Sequence, residues 1–175
     1  MNKQTQICYF HSVYPELFIN CNKIKGYSID EIKKIEKLYD VEIKGQLYDF
    51  LISLGRCSGG LFSDNALIFY RENMGVRSHI FFQHSFCEEL FNLQYYDFLK
   101  EKPFVFSFEN ETQYFFTLTK NDNNDLVYHY DENQETVIST GLNFNEHLRN
   151  LVNTDTRMFI KDITDDLVGE LIVIK

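Results

Sequence analysis

The chain's cysteines, histidines and clustered carboxylates are the side chains that could do chemistry, and their spacing limits what that chemistry is. His79 and His84 are five positions apart, and His11, His129 and His147 stand alone. No pair has the four-residue spacing that puts two imidazoles on one helix face, as in HExxH. Surface or half-buried histidines are expected. Cys8, Cys21, Cys57 and Cys87 include no CxxC pair, which argues against a zinc site and says little about disulfides; reduced, mostly buried thiols are expected. Cys87 lies close to His84, but a cysteine nucleophile needs a lowered thiol pKa and an orienting third group, and the sequence shows neither. Gly55, Gly59 and Gly60 follow a predicted helix and no GK[ST] comes after them, so they turn the chain and do not cradle phosphate. Asp165-Asp166 and Glu88-Glu89 read as solvated faces of an acidic chain.

Asn121, Asn123, Asp125 and Glu132 fall on the first, third, fifth and twelfth positions of a calcium loop. The match fails because Leu126 stands where the sharp turn needs glycine and the flanks read as strands. A solvated hairpin turn is expected, and no catalytic, cofactor or metal residue is assigned. One cluster suits binding instead of catalysis. Asp125, Tyr128, Tyr130, Asp131 and Glu132 mix tyrosines with acids, a usual composition for a contact surface, and they form the expected partner-binding patch.

The elements that would position these groups follow from periodicity. Ser28 opens a helix with a capping box to Glu31, worth about 1 kcal/mol, and Ile29, Ile32, Ile35 and Leu38 form its apolar stripe. A second helix is predicted near 45–54, with Leu47, Phe50, Leu51 and Leu54 on one side and Gly55 as its permissive C-terminal residue. Ala66 to Tyr70 reads as a strand, and Phe86 to Leu99 as a helix. Alternation over 104–108, 114–118 and 126–130 predicts paired antiparallel strands that Thr136-Val137-Ile138 extends. A helix over about 144–151, with Asn143 as its cap, and a last strand over 171–174 complete the order. The expected fold is α+β, a largely antiparallel sheet with helices packed on one face and the other face partly open to a partner.

Composition narrows the class. The 175 residues are 44% hydrophobic and 16% aromatic, enough for one domain spanning 1–175 with a sizeable core. Lys and Arg total 17 against 26 Asp and Glu, a formal charge of −9, which disfavours a nonspecific grip on nucleic acid and favours basic partners. The N-terminus lacks a signal-peptide core and no run is long enough to span a membrane, so a cytoplasmic protein is expected.

The order of Ile29-Asp30-Glu31-Ile32 with Ile35-Glu36, Tyr48-Asp49-Phe50-Leu51, Gly59-Gly60, Gln113-Tyr114-Phe115-Phe116, Val127-Tyr128-His129-Tyr130-Asp131 and Phe144 to Leu151 resembles the SMI1/KNR4 family of the SUKH superfamily, over about 28–151. The chain departs from the family where Ile43-Lys44 replaces a frequent Leu-Pro, where Leu126 replaces a proline, and in having no tryptophan. The resemblance implies a non-enzymatic immunity protein that neutralises a cognate bacterial toxin domain, with a nuclease as a fitting target. It needs no cofactor, and its partner is a basic protein. Fungal relatives act in cell-wall regulation and signalling, so an intracellular regulatory or scaffold module without a toxin partner is the alternative. A small hydrolase or transferase using carboxylates or Cys87 is the third reading.

Overall fold

The computed structural model describes residues 8–9, 12, 24–58, 62, 67–70, 75–154 and 170–173. Helix α1, Ile29–Tyr39, starts where the sequence places it. The Ser28 hydroxyl accepts from the Glu31 N–H at 3.3 Å, and Glu31 Oε2 accepts from the Ser28 N–H at 2.7 Å. Glu31 Oε1 also takes the Arg56 guanidinium at 2.6 Å, and Arg56 lies 4.5 Å over the Tyr27 ring. Burial would raise the Glu31 pKa, but the Ser28 N–H, Arg56 and the Ser28 hydroxyl together hold it below its ordinary value. One carboxylate thus joins the start of α1 to the end of the next helix. The apolar stripe is shorter than expected: Ile32 and Ile35 are buried, whereas Ile29 is 51% and Leu38 44% exposed. At about 100° per residue, steps of three drift round the helix, so its two ends finish on opposite sides.

Helix α2 runs Gly45–Leu54 and buries Leu47, Phe50, Leu51 and Leu54 as expected, along with Ile52 and Ser53. Gly45 sits at φ +59, where a Cβ would also collide with the Asp125 carboxylate. Gly55 is not left-handed, since its φ is −54. A side chain there would meet the Leu51 carbonyl and the Tyr27 ring, so close packing is its role. Gly59 and Gly60, assigned to the turn that follows, lie outside the described residues.

The strand expected over 66–70 is replaced over 67–70, Ala66 being outside the described residues. Leu67 makes a single antiparallel bridge to Ser107, and Ile68–Tyr70 coils into a buried 3-10 turn. A short run of apolar residues has no alternation to separate a strand from another buried element. The helix expected over 86–99 becomes two, α3 (Val76–Asn92) and α4 (Tyr96–Lys100), separated at Gln94 with φ 64. Strands β1 (Pro103–Glu109), β2 (Gln113–Leu118), β3 (Leu126–Asp131) and β4 (Thr136–Asn143) form an antiparallel meander in the order β1-β2-β3-β4. Helix α5, Phe144–Thr154, has an Asn143 cap whose side chain accepts from the Glu146 N–H at 3.0 Å. The strand expected over 171–174 does not form at Leu171–Val173; Ile174 is outside the described residues. Leu171 instead receives the Tyr39 hydroxyl on its carbonyl and gives its N–H to the Tyr27 hydroxyl.

The class is the α+β fold expected, with helices packed against a four-stranded antiparallel sheet, but the helices are spread over both faces. Phe104, Phe106 and Val127 meet α1, α2 and α5, with Phe106 4.7 Å from Phe144 and Phe104 5.9 Å from Tyr39. The opposite face carries Val105, Tyr114, Phe116, Tyr128 and Tyr130. It is covered by α3 and α4 through Phe86, 5.0 Å from Phe116, and Phe98, 5.4 Å from Tyr128. The face expected to stay open to a partner is therefore core. The sequence signal was the absence of a polar side: Phe and Tyr occupy both sets of alternating positions.

A β-bulge at Phe106 shifts the β1 register, and β1 lies at the sheet edge. That edge is sealed. The Gln83 side chain from α3 donates to the Val105 carbonyl at 2.6 Å and accepts from the Val105 N–H at 2.9 Å, occupying both outward groups as a neighbouring strand would. Gln83→Leu should strand two buried backbone groups and cost ~3 kcal/mol. A urea titration that moves by less than a third of that, with the Val105 amide still protected from hydrogen exchange, would refute this role.

Candidate functional site

The five residues expected to form one binding patch are not brought together. Asp125 is at the start of β3 and serves α2: its Oδ1 accepts from the Gln46 N–H at 2.7 Å, and the neighbouring Asn124 donates to the Lys44 carbonyl at 3.1 Å. Asp131 and Glu132 are at the other end of β3, roughly 20 Å away by strand rise. The same separation keeps Asn121, Asn123 and Asp125 from converging with Glu132, and Asn121 instead closes its own turn through the Asn123 N–H. Tyr130 is 1% exposed, and its hydroxyl donates to Glu89 Oε1 at 3.2 Å. Burial, and then Glu89, push that phenol far above its ordinary pKa. It is core, not an anchor. Tyr128 is half-buried between Phe98 and Phe116.

Asp131 and Glu132 do belong to a continuous surface feature. Between Lys102 and Arg149 the only Lys or Arg is Lys120, whereas Glu109 and Asp131 end β1 and β3 and Glu111, Glu132 and Glu135 occupy the β1–β2 and β3–β4 turns. These two turns lie side by side, because the Glu132 N–H donates to the Thr112 carbonyl at 2.9 Å and the Asn133 amide to the Thr112 hydroxyl at 3.0 Å. Tyr114 donates to Glu132 at 3.0 Å, and burial followed by that carboxylate moves the phenol up to about 12. Asp131 Oδ1 accepts from the Asn133 and Gln134 N–H groups, fixing the turn.

Next to this acidic end, the Tyr95 hydroxyl donates to the Glu135 carbonyl at 3.0 Å, tying the α3–α4 corner to the β3–β4 turn. On that corner Phe91 and Tyr96 are 59% and 45% exposed, edge to face at 5.5 Å. Exposed paired aromatics beside carboxylates combine apolar area with charge, as an interface for a basic protein requires. Neither Phe91 nor Tyr96 was singled out from sequence. The gap in basic residues after Lys102 was legible there, and it points to the acidic end of the sheet.

A depression of about 310 Å3 lies between the end of α1, α3 and the start of β1, where Tyr39, Gln83, His84, Cys87, Lys102 and Phe104 meet. Lys102 and Asp40 pair across its rim at 2.9 Å. Cys87 is half-buried there, and burial raises its thiol pKa, the direction opposite to that of an activated nucleophile. His84 is exposed and 3.9 Å from Glu88. Of the other thiols, Cys57 is buried, Cys8 is exposed and Cys21 is outside the described residues.

Under α5, the Phe115 ring lies between two imidazoles, 4.8 Å from His129 and 4.7 Å from His147. His129 pairs through Nε2 with Gln113 Oε1. His147 is 6% exposed, and its Nε2 has no hydrogen-bond partner among the described residues. Desolvation, then the nearby His129, lower its pKa to about 4.

Comparison with protein-family models, curated proteins and solved structures finds no match for this chain. No helix among the described residues is long and apolar enough to cross a membrane. Fold and surface together define an α+β domain, helix-covered on both faces of its sheet, with an acidic and aromatic corner at one end.

His147 gives the fold a specific acid sensitivity. Above the unfolded value of about 6.5 the group is neutral in both states; as pH falls from there to about 4, only the unfolded chain gains the proton, so stability drops by up to ~3 kcal/mol. Urea unfolding from pH 7 to pH 4 should show this loss, and His147→Leu should remove most of the slope. Equal slopes in both proteins would assign the acid sensitivity elsewhere.

Proposed function

We propose that the protein is a non-enzymatic, cytoplasmic binding protein of SMI1/KNR4 type that neutralises a cognate bacterial toxin domain by occluding it. A nuclease is the target class that best fits. The observation carrying this reading is the acidic corner: five carboxylates on two adjoining turns and the strand ends that lead into them, no Lys or Arg within those turns, and the exposed Phe91–Tyr96 pair alongside. An enzyme that handles phosphate backbones needs positive potential around its active site. A domain carrying −9 overall, with carboxylates concentrated at one end, is attracted to such a surface from a distance and complements it on contact. The aromatic pair supplies desolvated area that charge alone lacks. No bond is made or broken in this mechanism; binding excludes the target's substrate.

Co-purification with the protein encoded by the adjacent gene, followed by stopped-flow association, tests the reading. The pair Glu132→Gln and Glu135→Gln should slow association about tenfold at low salt and flatten its salt dependence, with little change in dissociation. Phe91→Ala should mainly speed dissociation. Failure of the unaltered protein to bind any neighbouring basic protein, even at low salt, would overturn the proposal.

A further inference from the structure

The two edges of the sheet are treated differently. On β1, Gln83 takes both outward groups of Val105 and Leu67 bridges to Ser107. On β4, the register and the hydrogen-bond alternation fix which groups point outward. The Glu132 N–H bonds to the Thr112 carbonyl, so Tyr128 and Tyr130 direct their backbone groups to β2, and His129 and Asp131 direct theirs to β4. Ile138 and Thr136, paired with His129 and Asp131, therefore bond inward, while Val137 and Ser139 present N–H and C=O groups to the outside. Among the described residues no group bonds to these four.

Local bonds do occupy the far end of the strand. The Gly141 N–H donates to the Ser139 hydroxyl at 3.2 Å, the Leu142 N–H to the Thr140 hydroxyl at 3.2 Å, and the Asn143 N–H to Glu146 at 2.8 Å. The open stretch is thus confined to Thr136–Ser139, adjoining the acidic corner. It contains no Lys, Glu or Pro, the residues that ordinarily blunt an edge, and Ile138 is 57% exposed on it.

We infer that the β4 edge is the docking strand for the basic partner: an extended segment of that protein, alternating apolar and cationic side chains, adds to the sheet beside Thr136–Ser139. This rests on the basic-partner reading above and specifies how the partner is held. Charge selects the occupant. Asp131, Glu132 and Glu135 stand at the near end of the edge, so a strand carrying Lys or Arg there gains complementarity, whereas a second copy would bring its own excess of carboxylates to the contact. Backbone bonds to Val137 and Ser139 supply the register, and an apolar side chain opposite Ile138 covers its exposed surface.

The test titrates the isotope-labelled full chain with the synthetic peptide Lys-Val-Lys-Ile-Arg-Val-Lys, following amide shifts and hydrogen exchange. The expected result is slowed exchange at Val137 and Ser139, saturable binding, and at least tenfold weakening between low and moderate salt. Ser139→Pro removes the outward N–H together with the hydroxyl that accepts from the Gly141 N–H, and should abolish the protection at Val137, whereas Ser139→Ala, which loses the hydroxyl alone, should keep it; Ile138→Lys, an exposed change with little effect on folding, should weaken binding about tenfold. If the peptide binds with the same salt dependence and shifts only the Glu132 and Glu135 region, with neither Ser139→Pro nor Ile138→Lys affecting it, the edge assignment is overturned and the basic-partner reading stands. If the peptide with Gln in place of every Lys and Arg binds equally well, the basic-partner reading fails along with this inference. Sedimentation showing a dimer that Ile138→Lys dissociates, without peptide binding, would assign the edge to a second copy and overturn the proposed occupant.

Discussion

Two hydrogen bonds from one amide side chain set the geometry on which much of this domain depends. Gln83 holds Val105 by both its backbone groups, and in doing so fixes α3 across the sheet at the β1 edge. A side chain that ties a helix to a strand in this way constrains both the helix's position and its rotation. With Gln83 turned inward, Phe82 and Phe86 meet Phe108, Tyr114 and Phe116, and Phe81, one residue before Phe82, is 70% exposed. The same placement carries the α3–α4 corner to the β3–β4 turn, where Tyr95 bonds to Glu135. The sealed edge and the exposed aromatic corner are thus consequences of one helix position.

Covering both faces of the sheet has an energetic counterpart. Ring-to-ring contacts between 4.7 and 5.9 Å help to close both faces, in the range where aromatic pairs add ~0.5–1.5 kcal/mol beyond the area they bury. Against this stand buried polar atoms. The hydroxyls of Ser53, Ser107 and Thr117, and His147 Nε2, have no hydrogen-bond partner among the described residues, and each such group weakens the fold. His147 has a clear consequence because it titrates, and desolvation keeps it neutral where free imidazole would be charged. Acid should therefore loosen the α5 side of the sheet around His147.

Local signals were the legible part of the sequence. The Ser28 and Glu31 capping box, the span of α2 and the alternating strands all follow from interactions within a few residues, and they stand where the pattern puts them. What failed depended on contacts distant in sequence. Ala66 to Tyr70 looks like a strand because nothing local reports that Leu67 makes one bridge to β1 and that Gln83 takes the next position along the edge. The candidate patch failed similarly: Tyr128 and Tyr130 alternate as an exposed face would, but Phe86 and Phe98, dozens of residues earlier, cover them. Asp131 and Glu132 stayed at the surface because turn residues have few long-range contacts to hide them. Charge was the better guide to surface, and hydrophobic alternation the better guide to fold.

The acidic corner is inexpensive for the fold to maintain, and that bears on what it can do. Carboxylates on two adjacent turns repel one another, yet they are solvated and screened within roughly 8–10 Å at ordinary ionic strength, so each costs little. Asp131 offsets part of that cost by accepting two turn N–H groups, and Glu132 by accepting from Tyr114. None of the core packing depends on the identity of the exposed Glu111 or Glu135 in the way it depends on Gln83 or Phe86. A surface built so can change its charges without unfolding the domain beneath it, which is the physical requirement for a protein that must match one basic partner and reject others. The uncharged β4 edge beside it would then supply backbone affinity that varies little with sequence, leaving discrimination to the carboxylates at its end.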